Sequence, residues 1–279
     1  MSLRGIVSAV GCALMFLGVV YGFQKPWREY PAVEYNNFPL PPDSQVPAEW
    51  TFARLMFPGG GPEADGYYPR FQGDYRHGLS LWTQDYPRAD RHLARAMRRL
   101  TRIDVRSVEQ VVALDDDDDA FNFPWIYAVQ VGEWGLTQKE AAKLREYIQR
   151  GGFFMADDLH GNSEWRVFAE RIHYAFPDRE IVELPDDDPY FHVVFDITDR
   201  PQVPGEAHLR EGCKNCSDGG RGAHWRAIKD DKGRIVVAIS HNSDLGDGWE
   251  FADAPYYPEK QSSLAIQIAV NDVVYAMTH

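Results

Sequence analysis

Positive charge is scarce in this chain: 29 lysines and arginines stand against 42 aspartates and glutamates, for a formal net charge of -13. A nucleic-acid backbone needs clustered cations, so the balance argues against nucleic acid as a partner. It disfavours an anionic membrane surface for the same reason. Several catalytic signatures are missing as well. The run Gly59-Gly60-Gly61 has neither GxGxxG nor a GK[ST] ending and is no phosphate loop. There is no GxSxG elbow for a nucleophilic serine and no HExxH for a zinc protease. The acidic run 115–119 lacks the EF-hand pattern and reads as a solvated loop. No internal repeat or low-complexity tract interrupts the chain. What is present is an ordinary globular composition, 44% hydrophobic and 25% charged, in a chain of 279 residues that can bury a sizeable core.

The amino terminus stands apart. After Arg4, residues 6–22 carry no charge, a run between a long signal-peptide core and a short membrane span. Residues 1–23 are therefore expected to be a signal or a membrane anchor, with the remainder outside the cytoplasm, periplasmic or secreted. Pro26, Pro31, Pro39, Pro41, Pro42 and Pro47 make residues 24–49 an extended linker rather than a packed element. One domain is expected over residues 50–279.

Within it, TFARLMF reads as a strand, and Arg54 inside it needs either a carboxylate partner or an edge position. A helix over 90–100 puts Leu93, Met97 and Leu100 on one face and Arg91, Arg95, Arg98 and Arg99 toward solvent. SVEQVVAL and PWIYAV are further strands. Thr137 and Glu140 form a capping box for a helix with Ala141, Leu144 and Ile148 on its core face, stopped by Gly151 and Gly152. FFMA is apolar without alternation, as in a strand covered on both faces, and leads into a sharp acidic turn. A helix over about 164–175 follows. Beyond residue 180, IVEL, HVVFDI and RIVVAIS read as strands, 200–226 as loop, and 264–277 as a buried closing helix. The alternation predicts an α/β fold: three layers, a mainly parallel sheet, and helices on both faces.

Two polar clusters each follow a buried strand. Asp157, Asp158 and His160 come after FFMA; His241, Asn242, Asp244 and Asp247 come after IVVAIS. If the two strands are parallel neighbours, their carboxyl ends share the crevice where such sheets hold ligands. Aspartates with histidines suit a divalent metal or acid–base work. Asp158 and Asn242 equally suit helix caps and turns. Cys213 and Cys216 form a Cys-x-x-Cys in a glycine-rich loop: a structural disulfide, a pair of reduced or unpaired thiols, a redox pair, or half of a zinc site with His208 and His224. No motif requires a cofactor; a divalent metal is the one left open.

The segments FARL (52–55), DYPRAD (85–90), RLT (99–101), PWIYA (124–128), LREYIQRGGFFMADDLHG (144–161), GRIVVAISHNSDLGDGWE (233–250) and the terminal NDVVYAMTH resemble a bacterial family named domain of unknown function 4159. That family is similar to class I glutamine amidotransferase-like folds, which implies a flavodoxin-like three-layer sheet. Those enzymes place a cysteine at an elbow after a central strand. Here Asp157 and Asp158 occupy that turn, so amidotransferase activity is not expected. The expected function is binding of a small polar ligand or an envelope protein at the sheet's carboxyl edge. The alternative is a metal-dependent hydrolase of a carbohydrate or other envelope component, acting through Asp157, Asp158, His160, His241 and Asp244.

Overall fold

A sheet of seven strands organises the computed structural model, which describes residues 25–35, 38–59, 74–115, 118–213 and 215–279. In chain order the elements are β1 (Ala53–Met56), α1 (Arg88–Leu100), β2 (Gln110–Ala113), β3 (Trp125–Ala128), α2 (Gln138–Gln149), β4 (Phe153–Leu159) and α3 (Gly161–Ala175). Then come β5 (Ile181–Glu183), α4 (Glu206–Arg210), β6 (His224–Lys229), β7 (Ile235–His241), α5 (Leu245–Glu250) and α6 (Glu259–Thr278). In space the strands run β2-β1-β3-β4-β7-β6-β5. The first five are mutually parallel and β6 runs antiparallel to both its neighbours. The parallel part has the doubly wound order of a flavodoxin-like sheet.

Both faces are covered, which is why the central strands are apolar without alternation. On one side Leu144 and Ile148 of α2 and Phe168 and Ile172 of α3 pack with Phe154, Ala156 and Ile239. On the other, Leu93 and Met97 of α1 and Leu264 and Ile268 of α6 pack with Tyr127, Met155 and Ala238. The three-layer α/β architecture is the predicted one. So is the capping box of α2, where the Thr137 hydroxyl accepts from Glu140 N at 3.2 Å and Glu140 Oε2 from Thr137 N at 2.8 Å. Arg54 takes the partnered alternative. Its strand lies between β2 and β3, and its Nε donates to both oxygens of Asp90 at 3.1 and 2.9 Å.

Several expectations are corrected. Arg91 does not face solvent: it is buried against Glu109 at 3.1 Å and Glu29 at 2.6 Å, because a fully buried Glu109 needs a cation. The strand of FFMA does not stop at a turn. It continues through both aspartates, with Asp158 at φ 54° and a register shift between Ala156 and Leu159, so a bulge replaces the turn. HVVFDI is not a strand, since Asn271 Oδ1 accepts from Val194 N at 3.0 Å and Phe195 N at 2.8 Å where a neighbouring strand would have to. Residues 200–226 contain α4 and the start of β6.

The described residues of the proline-rich stretch form neither helix nor strand, yet they pack on the domain as a strap. Ala32 is buried, Tyr30 meets Trp82 edge-on at 5.4 Å, and Glu34 accepts the Asp85 N–H at 2.7 Å. Proline removes backbone donors, and it does not prevent burial. The expected signal or anchor over residues 1–23, the glycine turn from residue 60, and residues 116–117 of the acidic run lie outside the described residues. No described helix is long and apolar enough to cross a membrane.

Candidate functional site

β4 and β7 are parallel neighbours, with Leu159 opposite His241, so the two polar clusters do meet at the carboxyl edge. Strand alternation then sorts their side chains onto two faces. His241 goes to the α3 side, where it stacks on Trp165 at 4.9 Å, accepts from Arg226 Nη1 at 2.7 Å and donates to Gly161 O at 3.2 Å. Burial, with the Arg226 charge beside it, pushes its imidazole down to about 4. Asn242 fixes turns: Oδ1 accepts from Gly161 N at 2.8 Å, and Nδ2 donates to Gly219 O and Gly222 O at 3.1 Å each. Asp157 goes to the opposite face and is fully used by the fold. It accepts from Tyr127 Oη at 2.8 Å, from the Ser240 hydroxyl, and from Leu245 N and Gly246 N at 3.0 Å each. It therefore pins α5 to β4, and burial lifts its carboxyl to about 6.

Asp158, Asp244 and Asp247 remain, and the structure adds Asp85 to them. Asp158 Oδ2 accepts from Gln130 Nε2 at 2.9 Å, and Oδ1 lies 2.7 Å from His160 Nε2. Asn215 Oδ1 accepts from Ser217 N at 3.0 Å, so its Nδ2 is the donor to His160 Nδ1 at 2.7 Å. That assignment leaves the imidazole proton on Nε2, facing Asp158. Burial lowers the proton affinity of His160, but the Asp158 carboxylate outweighs it and the net direction is upward. Asp244 caps α5 by accepting from Asp247 N at 2.8 Å, and Asp247 Oδ2 accepts from Glu206 N at 2.5 Å. Glu250 accepts from the Tyr35 hydroxyl on the strap.

Asp85 differs from all of these. It is 1% exposed, and neither carboxylate oxygen has a hydrogen-bond partner among the described residues. One oxygen each of Asp85, Asp244 and Asp247 lie within 4.8 Å of one another. Ligand atoms of Asp158, His160 and Asp244 are equally close, as are those of Glu34, Asp85 and Glu250. Burial first, and neighbouring carboxylates after it, push Asp85 and Asp244 well above the ordinary carboxylate range. Burial likewise lifts Asp247 to about 7 and Glu250 to about 9. Two ionised carboxylates at such a separation repel by about 3–4 kcal/mol at an effective dielectric of about 20. Three such pairs would cost about 10 kcal/mol, the size of a whole domain's stability. The crevice must hold protons or a cation.

A family model described as Domain of unknown function (DUF4159) matches residues 74–277. The chain belongs to this family. No curated protein matches it. The DUF4159 match takes in Asp85, Gln130, Asp158, His160, Asn215, Asp244, Asp247 and Glu250, while Glu34 and Tyr35 of the strap precede it. In this DUF4159 domain Cys213 and Cys216 are joined as a disulfide, with Cα atoms 6.0 Å apart, and the loop they close carries Asn215 to His160. His224 stacks on His241 at 5.3 Å instead of joining His208.

Sequence reasoning missed Asp85, Gln130 and Glu250. One signal was available for Asp85: it lies between β1 and α1, and a loop that leaves a parallel strand opens on the carboxyl edge. The roomier grooves do not touch the acidic residues of this crevice. One of about 360 Å³ is lined by Ile172, Phe176, Ile181 and Ile228, and one of about 300 Å³ by Trp27, Pro47, Arg106 and Phe123. The first also carries His173, Arg179 and Glu180 and the second Glu49 and Asn122, but neither is lined by Asp85, Asp158, Asp244 or Asp247.

Proposed function

We propose that this domain is a binding module, exported or membrane-anchored, that takes a small polar ligand carrying positive charge at the carboxyl edge of its sheet. The observation that carries this reading is the Asp85 carboxylate, buried without a hydrogen-bond donor and facing Asp244 and Asp247. A bonded Cys213–Cys216 pair supports the extracytoplasmic setting, since disulfides persist in oxidising compartments. The test is a thermal-shift panel on the full chain with calcium, manganese, zinc, ethanolamine, choline, glucosamine and arginine. At least one member should raise Tm, and Asp244→Asn should remove the effect. A panel without any shift, or a shift that survives the substitution, overturns the reading.

A second reading, metal-dependent hydrolysis of an envelope carbohydrate, draws on the Asp158–His160 pair lying beside Asp244. Asp157 and His241 are engaged elsewhere and have no part in it. Release of soluble fragments from cell-wall polysaccharide, dependent on manganese and lost in Asp158→Asn, would favour it over the binding module.

A further inference from the structure

Resting on the binding reading, we infer that the ligand is a hard divalent cation held by the carboxylates of Asp85, Asp244 and Asp247. Two buried aspartates differ sharply inside the fold. Asp157, wholly buried, is met by two hydroxyls and two backbone N–H groups. Asp85 is as deeply buried and is met by none. A buried carboxylate without donors costs several kcal/mol unless a proton neutralises it or a positive charge answers it. Arg54 is the nearby cation, and it is already committed to Asp90 and to the carbonyls of Trp82 and Gln84.

Geometry narrows the class of cation. The three oxygens lie within 4.8 Å of one another, the span of a coordination sphere with metal–oxygen bonds of about 2.3–2.6 Å. Asp85 and Asp244 are at most 2% exposed, which favours a bare ion over an ammonium or guanidinium ligand with its carbon skeleton. Three carboxylates make an all-oxygen donor set, suited to calcium, magnesium or manganese rather than to zinc or copper. Gly246 keeps the arrangement open, because a Cβ there would overlap Asp85 Oδ2 and crowd Tyr127 Oη. The neighbouring Asp158–His160–Asp244 group is the weaker candidate. His160 Nε2 carries its proton toward Asp158, and Asn215 holds Nδ1, so neither ring nitrogen is free to ligate.

The experiment uses the full chain, stripped with a chelator and then titrated separately with CaCl2, MgCl2, MnCl2 and ZnCl2 by calorimetry and thermal melting. About one ion of calcium, magnesium or manganese should bind per chain and raise Tm by several degrees. Asp85→Asn should weaken that binding by about 100-fold or more, since outer-shell partners alone cost about 10–100-fold. Without metal its Tm should equal or exceed that of the parent, because an unanswered charge is gone. Asp247→Asn gives a second variant with the same expected loss of binding. The inference fails if none of the three hard ions binds, if both variants bind as the parent does, or if metal-free Asp85→Asn melts several degrees lower. Should only organic cations of the earlier panel raise Tm, the metal is ruled out and the binding module stands. Should nothing raise it, both fall.

Discussion

Arg54 and Asp90 form an ion pair with no solvent exposure on either side chain. Removing one member leaves the other charged and unanswered in the interior, so Asp90→Ala should cost about 3–5 kcal/mol. A urea midpoint measured at unchanged slope reads this directly, and a loss under about 1 kcal/mol would show the pair to be dispensable. His241 makes a pH prediction. Its folded pKa of about 4 lies below the ordinary 6.5, so the unfolded chain binds a proton that the folded chain refuses. The stability this represents is present above pH 6.5 and is lost as pH falls toward about 4, by about 1–3 kcal/mol. Asp272, lifted by burial to about 7, acts with the opposite sign, its contribution present in acid and lost as pH rises. Comparing Tm at pH 7 and pH 4.5 in the parent and in His241→Phe isolates the histidine. An equal acid loss in both would assign the loss elsewhere. At this scale the sequence showed that Arg54 required a carboxylate if buried, because a charge cannot be buried alone. It did not show that Asp85 lacks a hydrogen-bond donor among the described residues, because donors come from segments distant in sequence.

The legible elements are those whose signals are local. The Leu93–Met97 spacing of α1, the Thr137–Glu140 box and the glycine stop of α2 need no tertiary partner to be recognised, although Leu100, expected on the face of Leu93 and Met97, lies exposed at the end of α1. The box also makes a prediction. Thr137→Ala removes an acceptor for Glu140 N, and should cost about 1 kcal/mol in a denaturant melt while leaving far-UV circular dichroism intact. No measurable loss would mean that packing alone holds the first turn. The illegible elements are those made by distant residues. α5 contains Gly246 and Gly248 and has little propensity of its own. It exists because Asp157 of β4 and Asp244 accept its first N–H groups. HVVFDI has strand composition and is held irregular by Asn271 on α6. The bulge at Asp158 was unreadable for a related reason: besides His160 next to it in the chain, its aspartate is supported by Gln130 from beyond β3.

At the scale of the whole molecule, the alternation of strands and helices was enough for the layers. The partnership of β4 with β7 was conditional until the topology decided it. In the chain α3, β5, α4 and β6 lie between the two strands, whereas in space the strands are hydrogen-bonded neighbours. The strap and the start of the family match lead to the last prediction. The match begins at residue 74, yet β1 lies between β2 and β3 and supplies Arg54 to Asp90. A chain cut to 74–279 therefore loses an interior strand and strands a buried carboxylate, and it should show no cooperative melt. A chain cut to 50–279 keeps the whole sheet. It loses Glu29 from Arg91, Tyr30 from Trp82 and Glu34 from the Asp85 N–H. It should fold and melt cooperatively, lower by roughly 5–10 °C if the lost contacts are worth about 2–3 kcal/mol. Calorimetry on the two truncated chains decides between strap and linker. A 50–279 chain that melts with the parent would return residues 24–49 to the role their prolines first suggested, and a 74–279 chain that melts cooperatively would mean that β1 is not needed to close the sheet.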